Sequence, residues 1–259
     1  MGALLQVQGL TVRYGGLSAI DDVSMEIEQG SFVGLIGPNG AGKTTFIDAV
    51  TGLTPSIGDV VFDGKSIAGQ PAYRRAKLGL CRTFQSLELF EELTVRENLL
   101  VTAEPARWHS SFTDLLRPRT ARDAAVAVDD ALALLALTDQ ADALPDELSL
   151  GQRKLVTVAR SLAARPKFLL LDEPAAGLDS HESVALGDKL RDVVASGVTI
   201  LLVDHDMGLV LGVCDKIQVL EFGRLIASGT PSQIRSDERV IAAYLGAEGE
   251  PVAPAAEVV

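Results

Sequence analysis

Apolar and polar positions alternate along residues 4–14 and again along 23–28, where Val23, Met25 and Ile27 stand against polar neighbours. A period of two puts successive side chains on opposite faces, so both stretches predict half-buried strands. Residues 32–36, 168–171 and, apart from Thr199, 198–203 are short apolar runs, the pattern of strands covered on both faces. Residues 58–62 predict a further strand ended by the turn Asp63-Gly64, and 80–84 is strand-like. Residues 216–221 and 225–227 flank Phe222-Gly223-Arg224 as a hairpin. Helical spacing of apolar residues marks about 42–51, 94–101, 121–137, 149–164, 180–195 and the short 206–213. Ser149 is a plausible cap for one of these helices, and Gly197 closes another.

Strands alternating with helices predict an α/β core with parallel strands. The helical stretch at about 87–165 interrupts that alternation and predicts an inserted helical subdomain. No internal repeat divides the chain, so residues 1–246 form one unit. The tail 247–259, rich in Ala, Glu and Pro, is expected to be disordered.

Charge removes one class of partner. Among 259 residues, Lys plus Arg is 23 and Asp plus Glu 35, a formal charge of −12. Such a surface is a poor match for a phosphate backbone, so no nucleic acid is expected. Cys81 and Cys214 lie far apart without ligand partners nearby and read as reduced thiols. No basic start followed by an apolar block is visible, and no apolar run is long enough to span a bilayer. Work at a membrane would therefore go through a partner.

The candidate chemistry begins after the third strand, at Gly37-Pro38-Asn39-Gly40-Ala41-Gly42-Lys43-Thr44. Glycines let successive N–H groups converge on phosphate oxygens, and the helix that follows adds its positive end. Lys43 would reach the β and γ phosphates, and the Thr44 hydroxyl would hold Mg²⁺. Alone, this loop fits ATP or GTP. A second site is Leu171-Asp172-Glu173, where a buried strand ends in two acids at the edge at which α/β sheets bind ligands. Asp172 would join the Mg²⁺ shell, and Glu173 would orient and deprotonate an attacking water. A third is Ser149-Leu150-Gly151-Gln152 at a helix start, on spacing alone either a helix cap or a second anion site. Gln85 and His205 follow strand-like segments. Each could touch a γ-phosphate or its water, or be solvated or structural.

Taken together, these residues resemble the nucleotide-binding subunit of an ABC transporter, over about residues 5–246. Tyr14 matches the aromatic that stacks on adenine. Gly37, Pro38, Asn39, Gly40, Ala41, Gly42, Lys43, Thr44 and Thr45 match the Walker A loop. Gln85 matches the Q-loop glutamine, Ser149-Leu150-Gly151-Gln152 the family signature, and Leu171-Asp172-Glu173 Walker B. Ala176-Gly177-Leu178-Asp179 matches the D-loop and His205 the switch histidine.

The resemblance implies a P-loop (RecA-like) core with an antiparallel β subdomain and an inserted α-helical signature subdomain. It implies ATP and Mg²⁺ as ligands, with Gln85 and His205 beside Glu173 in catalysis and Gln85 beside Thr44 and Asp172 at the metal. Two ATPase subunits, identical or paralogous, would close head to tail, so that Ser149 and Gly151 bind the partner's γ-phosphate, with Gln152 and Asp179 also among the nucleotide-binding residues. Such subunits sit on the cytoplasmic face of the membrane, bound to transmembrane permease subunits. An importer adds an extracytoplasmic solute-binding protein. The surface near 85–95 would grip the permease.

Leu150 replaces the first Gly of the common signature. Large residues there occur in subunits serving hydrophobic amino-acid importers. Arg82-Thr83-Phe84-Gln85, Leu93-Thr94-Val95-Arg96-Glu97-Asn98, Asp204-His205-Asp206-Met207, Ala243-Tyr244-Leu245-Gly246 and the basic insertion at 105–120 resemble the branched-chain amino-acid uptake ATPases. Urea or short-amide importers and lipid or lipopolysaccharide exporters remain alternatives. Non-transport ABC ATPases fit less well, because residues 85–149 lack the sustained heptads of a coiled coil and the chain carries one cassette.

Overall fold

A computed structural model describes residues 2–83, 89–103 and 118–247. Gln85, most of the 105–120 insertion and the tail from 248 onward lie outside the described residues.

Two sheets stack around α1 (Lys43–Thr51). The first is antiparallel: β2 (Leu17–Glu28), β1 (Ala3–Tyr14), β4 (Ile57–Phe62) and β5 (Lys65–Ser66), in that spatial order. The second is six-stranded, in the order β10 (Arg224–Gly229), β9 (Lys216–Glu221), β3 (Phe32–Ile36), β8 (Thr199–Val203), β7 (Phe168–Asp172) and β6 (Leu80–Arg82). Only the β9–β10 pair runs antiparallel there; β3 pairs parallel with β8 and β9, and β7 with β6 and β8. All residues of β3, β7 and β8 are buried, because helices cover one face and the antiparallel sheet with α1 the other. Phe62 meets Phe168 edge to face at 6.3 Å between the two sheets.

The helices α3 (Val95–Ala103), α4 (Pro118–Leu134) and α5 (Leu150–Ala163) pack on one another. Val95, Leu99, Val128, Leu132 and Val156 are buried among them at helical spacing, which sets the shared face. Asn98, wholly buried, fastens the preceding segment: its Nδ2 donates to the carbonyls of Phe90, Leu93 and Thr94, and its Oδ1 accepts from the Phe90 N–H.

Several elements differ from the expectations. β2 begins at Leu17 rather than 23, passing an irregularity at Asp22, whose φ is +56°. α2 (Ala72–Lys77), the two-residue β5 and the last helices α8 (Pro231–Arg235) and α9 (Glu238–Ala247) carry no period in the sequence strong enough to announce them. α4 ends at Leu134, and Ala136 turns left-handed at φ +57°.

Candidate active site

The loop joining β3 to α1 turns at Gly37, whose φ is +153°. A Cβ there would stand 2.1 Å from the Leu220 carbonyl of β9, so no side chain fits. Lys43 is 9 % exposed; its Nζ donates to the Gly37 carbonyl at 2.6 Å and to that of Pro38 at 3.2 Å. The ammonium thus folds back over the concave side of the loop. Burial lowers its pKa, partly opposed by the nearby carboxylates of Glu173 and Asp172. Gly42 stands at the N-cap of α1 and supplies no side-chain cap, which leaves first-turn N–H groups for an anion. Together with Thr44, Thr45, Ser18, Glu173 and Phe222, this loop lines a cleft of about 370 Å³.

β7 delivers the acids. Asp172, 3 % exposed, accepts from Arg82 Nη2 through Oδ2 at 2.8 Å. The same guanidinium pairs with Asp48 of α1, so one side chain ties β6, α1 and β7 together. Burial raises the pKa of the Asp172 carboxyl and Arg82 opposes the shift. Oδ1 of Asp172 is buried with no hydrogen-bond partner. An unpaired carboxylate oxygen below Lys43 is costly unless a ligand completes it.

Glu173 leaves the strand at φ +48°, its N–H held by the Val203 carbonyl at 2.7 Å. That turn carries its side chain into the cleft wall, while Asp172 stays in the core. His205 comes off the end of β8, with Nδ1 4.0 Å from Glu173 Oε1 and 3.7 Å from Asp204 Oδ1. Asp204 is 1 % exposed, and burial raises its pKa. Its Oδ2 accepts from the Ala175 N–H at 3.2 Å and its Oδ1 from the Asp206 N–H at 3.0 Å, which clamps the loops after β7 and β8 together.

The fold therefore gathers Lys43, Thr44, Thr45, Asp172, Glu173 and His205 along one sheet edge. The remaining candidates stand elsewhere. Ser149 caps α5: its Oγ accepts from the Gln152 N–H at 3.3 Å and its N–H donates to Gln152 Oε1 at 2.9 Å. Gly151 follows in the first turn, with Glu182 Oε1 3.4 Å from where a Cβ would be. Asp179 caps α6 (Ser180–Ala195), accepting from the N–H groups of His181 and Glu182 at 2.8 Å each. None of these lines the cleft. Tyr14 ends β1, 53 % exposed, opposite Leu17, which does line it.

Three participants were not legible as such. Arg82 and Asp204 appeared in the sequence only as neighbours of Gln85 and His205. Phe222 reads as a hairpin residue, yet it forms part of the cleft wall. Two acids closing a strand and charged residues in adjacent strand ends are the signal that could have found the first two.

A glycine loop between β3 and α1, with paired acids ending a neighbouring parallel strand, defines a P-loop nucleoside triphosphatase. Comparison with known proteins narrows the class. Residues 20–176 match the ABC transporter family, and residues 224–250 match a region described as branched-chain amino acid ATP-binding cassette transporter. The chain is 41 % identical over 255 residues to the high-affinity branched-chain amino acid transport ATP-binding protein BraF of Pseudomonas aeruginosa, covering 94 % of this chain and 98 % of that one. It is 35 % identical over 245 residues to the lipopolysaccharide export system ATP-binding protein LptB of Escherichia coli, with the same coverage. The crystal structure of an ATP-binding cassette of an ABC transporter in its ADP conformation superposes with a TM-score of 0.84 at 30 % identity, covering 95 % of this chain and all of that one. The chain belongs to the ABC transporter family: it is an ATP-binding cassette, the ATPase subunit of a transporter. Among the described residues no helix is long and apolar enough to cross a membrane.

Proposed function

We propose that this cassette hydrolyses ATP on the cytoplasmic face of a membrane to drive import of branched-chain or other hydrophobic amino acids. The observation that carries the catalytic part is that Lys43 and Glu173 line one cleft, with Asp172 buried at the end of the strand that Glu173 leaves and His205 4.0 Å from Glu173. The likeness to BraF supports the solute class.

In this reading the Gly37–Thr45 loop cradles the phosphates, Lys43 neutralises the β and γ groups, and Tyr14 faces the adenine. Glu173 takes the proton of the attacking water, and His205, within 4.0 Å of it, holds the γ-phosphate side of the cleft. The unpartnered Asp172 Oδ1 and the Thr44 hydroxyl form an oxygen donor set suited to Mg²⁺, with Gln85 as a further ligand. Mg²⁺ would supply positive charge to the phosphate oxygens.

Ser149, Gly151, Gln152 and Asp179 do not line the cleft of their own chain. They serve the ATP of a second ABC subunit, identical or paralogous, and hydrolysis releases the closed pair. One cassette over residues 1–246, with a helical subdomain at about 87–165, supplies both halves. An apolar groove of about 310 Å³, lined by Leu53, Tyr73, Leu80, Cys81, Arg82 and Thr102, takes a permease segment, alongside the surface near 85–95. Arg82 links that groove directly to Asp172. An extracytoplasmic binding protein delivers the solute.

The test is reconstitution with the permease subunits and binding protein in vesicles. ATP-dependent accumulation of labelled leucine is expected. Accumulation of urea without leucine, or outward lipid movement as the name LptB describes, would overturn the amino-acid assignment.

A further inference from the structure

Phe222, at the tip of the β9–β10 hairpin, lines the same cleft as the phosphate loop. Phe222 and Gly223 form the turn, with φ of +46° and +75°. Two-residue hairpin turns with positive φ at both positions favour Asn or Gly at the first, since a bulky side chain is strained there. The ring is also 83 % exposed, more than any other large apolar side chain described. Turn geometry would thus prefer a small polar residue, and burial gains nothing from a ring held in water.

The tip itself is rigidly placed. The Gly223 N–H donates to the Ala41 carbonyl of the phosphate loop at 2.9 Å, and the Gly223 carbonyl accepts from the Asp21 N–H at 2.9 Å. A Cβ on Gly223 would lie 2.6 Å from the Ala19 carbonyl, so the contact requires glycine. Arg224 adds two hydrogen bonds to Asp21 Oδ2, at 2.9 and 2.5 Å. The hairpin is fastened to both the phosphate loop and β2, and Phe222 shares the cleft lining with Leu17, the register partner of Tyr14, and with Lys43.

We infer that Phe222 forms a base-side subsite, its ring packing against the nucleoside of the bound triphosphate, in addition to the adenine contact assigned to Tyr14. Strain in a clamped turn then serves affinity, the relation expected where an unusual backbone conformation persists at a site. The inference rests on the reading of the phosphate loop as an ATP cradle.

Titration calorimetry with two probes, MgATP and inorganic tripolyphosphate, tests it on the full chain carrying Phe222→Asn, Phe222→Ala or Phe222→Trp. Loss of base–aromatic packing should weaken MgATP binding roughly tenfold in the Asn and Ala variants. Tripolyphosphate affinity should stay at the parent value, and Phe222→Trp should keep MgATP affinity and change its fluorescence on binding. Because Asn suits the turn, Phe222→Asn should melt no lower than the parent, which separates a ligand role from a structural one. MgATP affinity unchanged in both the Asn and Ala variants, or equal weakening for tripolyphosphate, would overturn the inference and leave the cradle reading intact. A parent chain that binds neither probe would overturn both.

Discussion

The N-termini of α1 and α5 are built oppositely, although both are read as phosphate sites. At α1 the cap is a glycine with no side chain to offer, the loop before it is closed by contact with Leu220, and Lys43 curls over the opening. Its first-turn N–H groups meet no side-chain cap, and its one cation rests on the Gly37 and Pro38 carbonyls beside them. At α5, Ser149 and Gln152 satisfy each other's backbone in a reciprocal capping box, on an exposed surface. One terminus is prepared for an anion within its own chain. The other is self-sufficient until something displaces its cap. On the proposed reading, the difference makes binding a property of one chain and leaves the second half of the chemistry to a surface that this chain does not provide to itself.

Breaking the first terminus should have the largest effects. Gly37→Ala forces a methyl onto the Leu220 carbonyl; we expect a loss of about 3 kcal/mol or more of stability, read as a lowered urea midpoint, together with loss of ATP binding. Lys43→Ala leaves the fold intact but removes the buried cation, and should weaken MgATP binding on the order of a hundredfold by calorimetry. Unchanged affinity would remove Lys43 from the phosphate site. Ser149→Ala sharpens the contrast from the other side. MgATP affinity of the single chain should stay at the parent value, while turnover in the assembled transporter falls roughly tenfold. The same change removes a helix cap and should cost about 1 kcal/mol of stability. Asp204→Ala should likewise leave MgATP affinity near the parent value. It frees the Ala175 and Asp206 N–H groups and should cost about 1–3 kcal/mol in chemical denaturation, with a fall in turnover as His205 loses its place.

Most of the parallel sheet was legible, because strands such as Phe168–Asp172 are covered on both faces and read as apolar runs, here Phe168 to Leu171. The elements that escaped are held by tertiary contacts rather than by their own pattern. α2 is six residues of mostly polar sequence, yet Arg75 within it is 4 % exposed, its Nη1 donating to the Ala49 and Val50 carbonyls at the end of α1. No period announces a helix whose task is to satisfy another helix's last carbonyls. At the site, Lys43, Asp172 and Glu173 were legible from motif and strand order. Arg82 was not, since its value lies in bridging Asp48 and Asp172 from different elements. Phe222 was hidden by its turn context, where the sequence announces a bend and says nothing of what the ring faces.

The central claim is that Glu173, turned out of β7 by its left-handed backbone, is the base of a hydrolase whose binding half is already complete. Glu173→Gln keeps the shape and removes the proton acceptor. Steady-state ATP turnover and MgATP affinity measured on that variant test the claim together. The account predicts parent-like affinity with turnover reduced roughly a hundredfold or more. Undiminished turnover would contradict it.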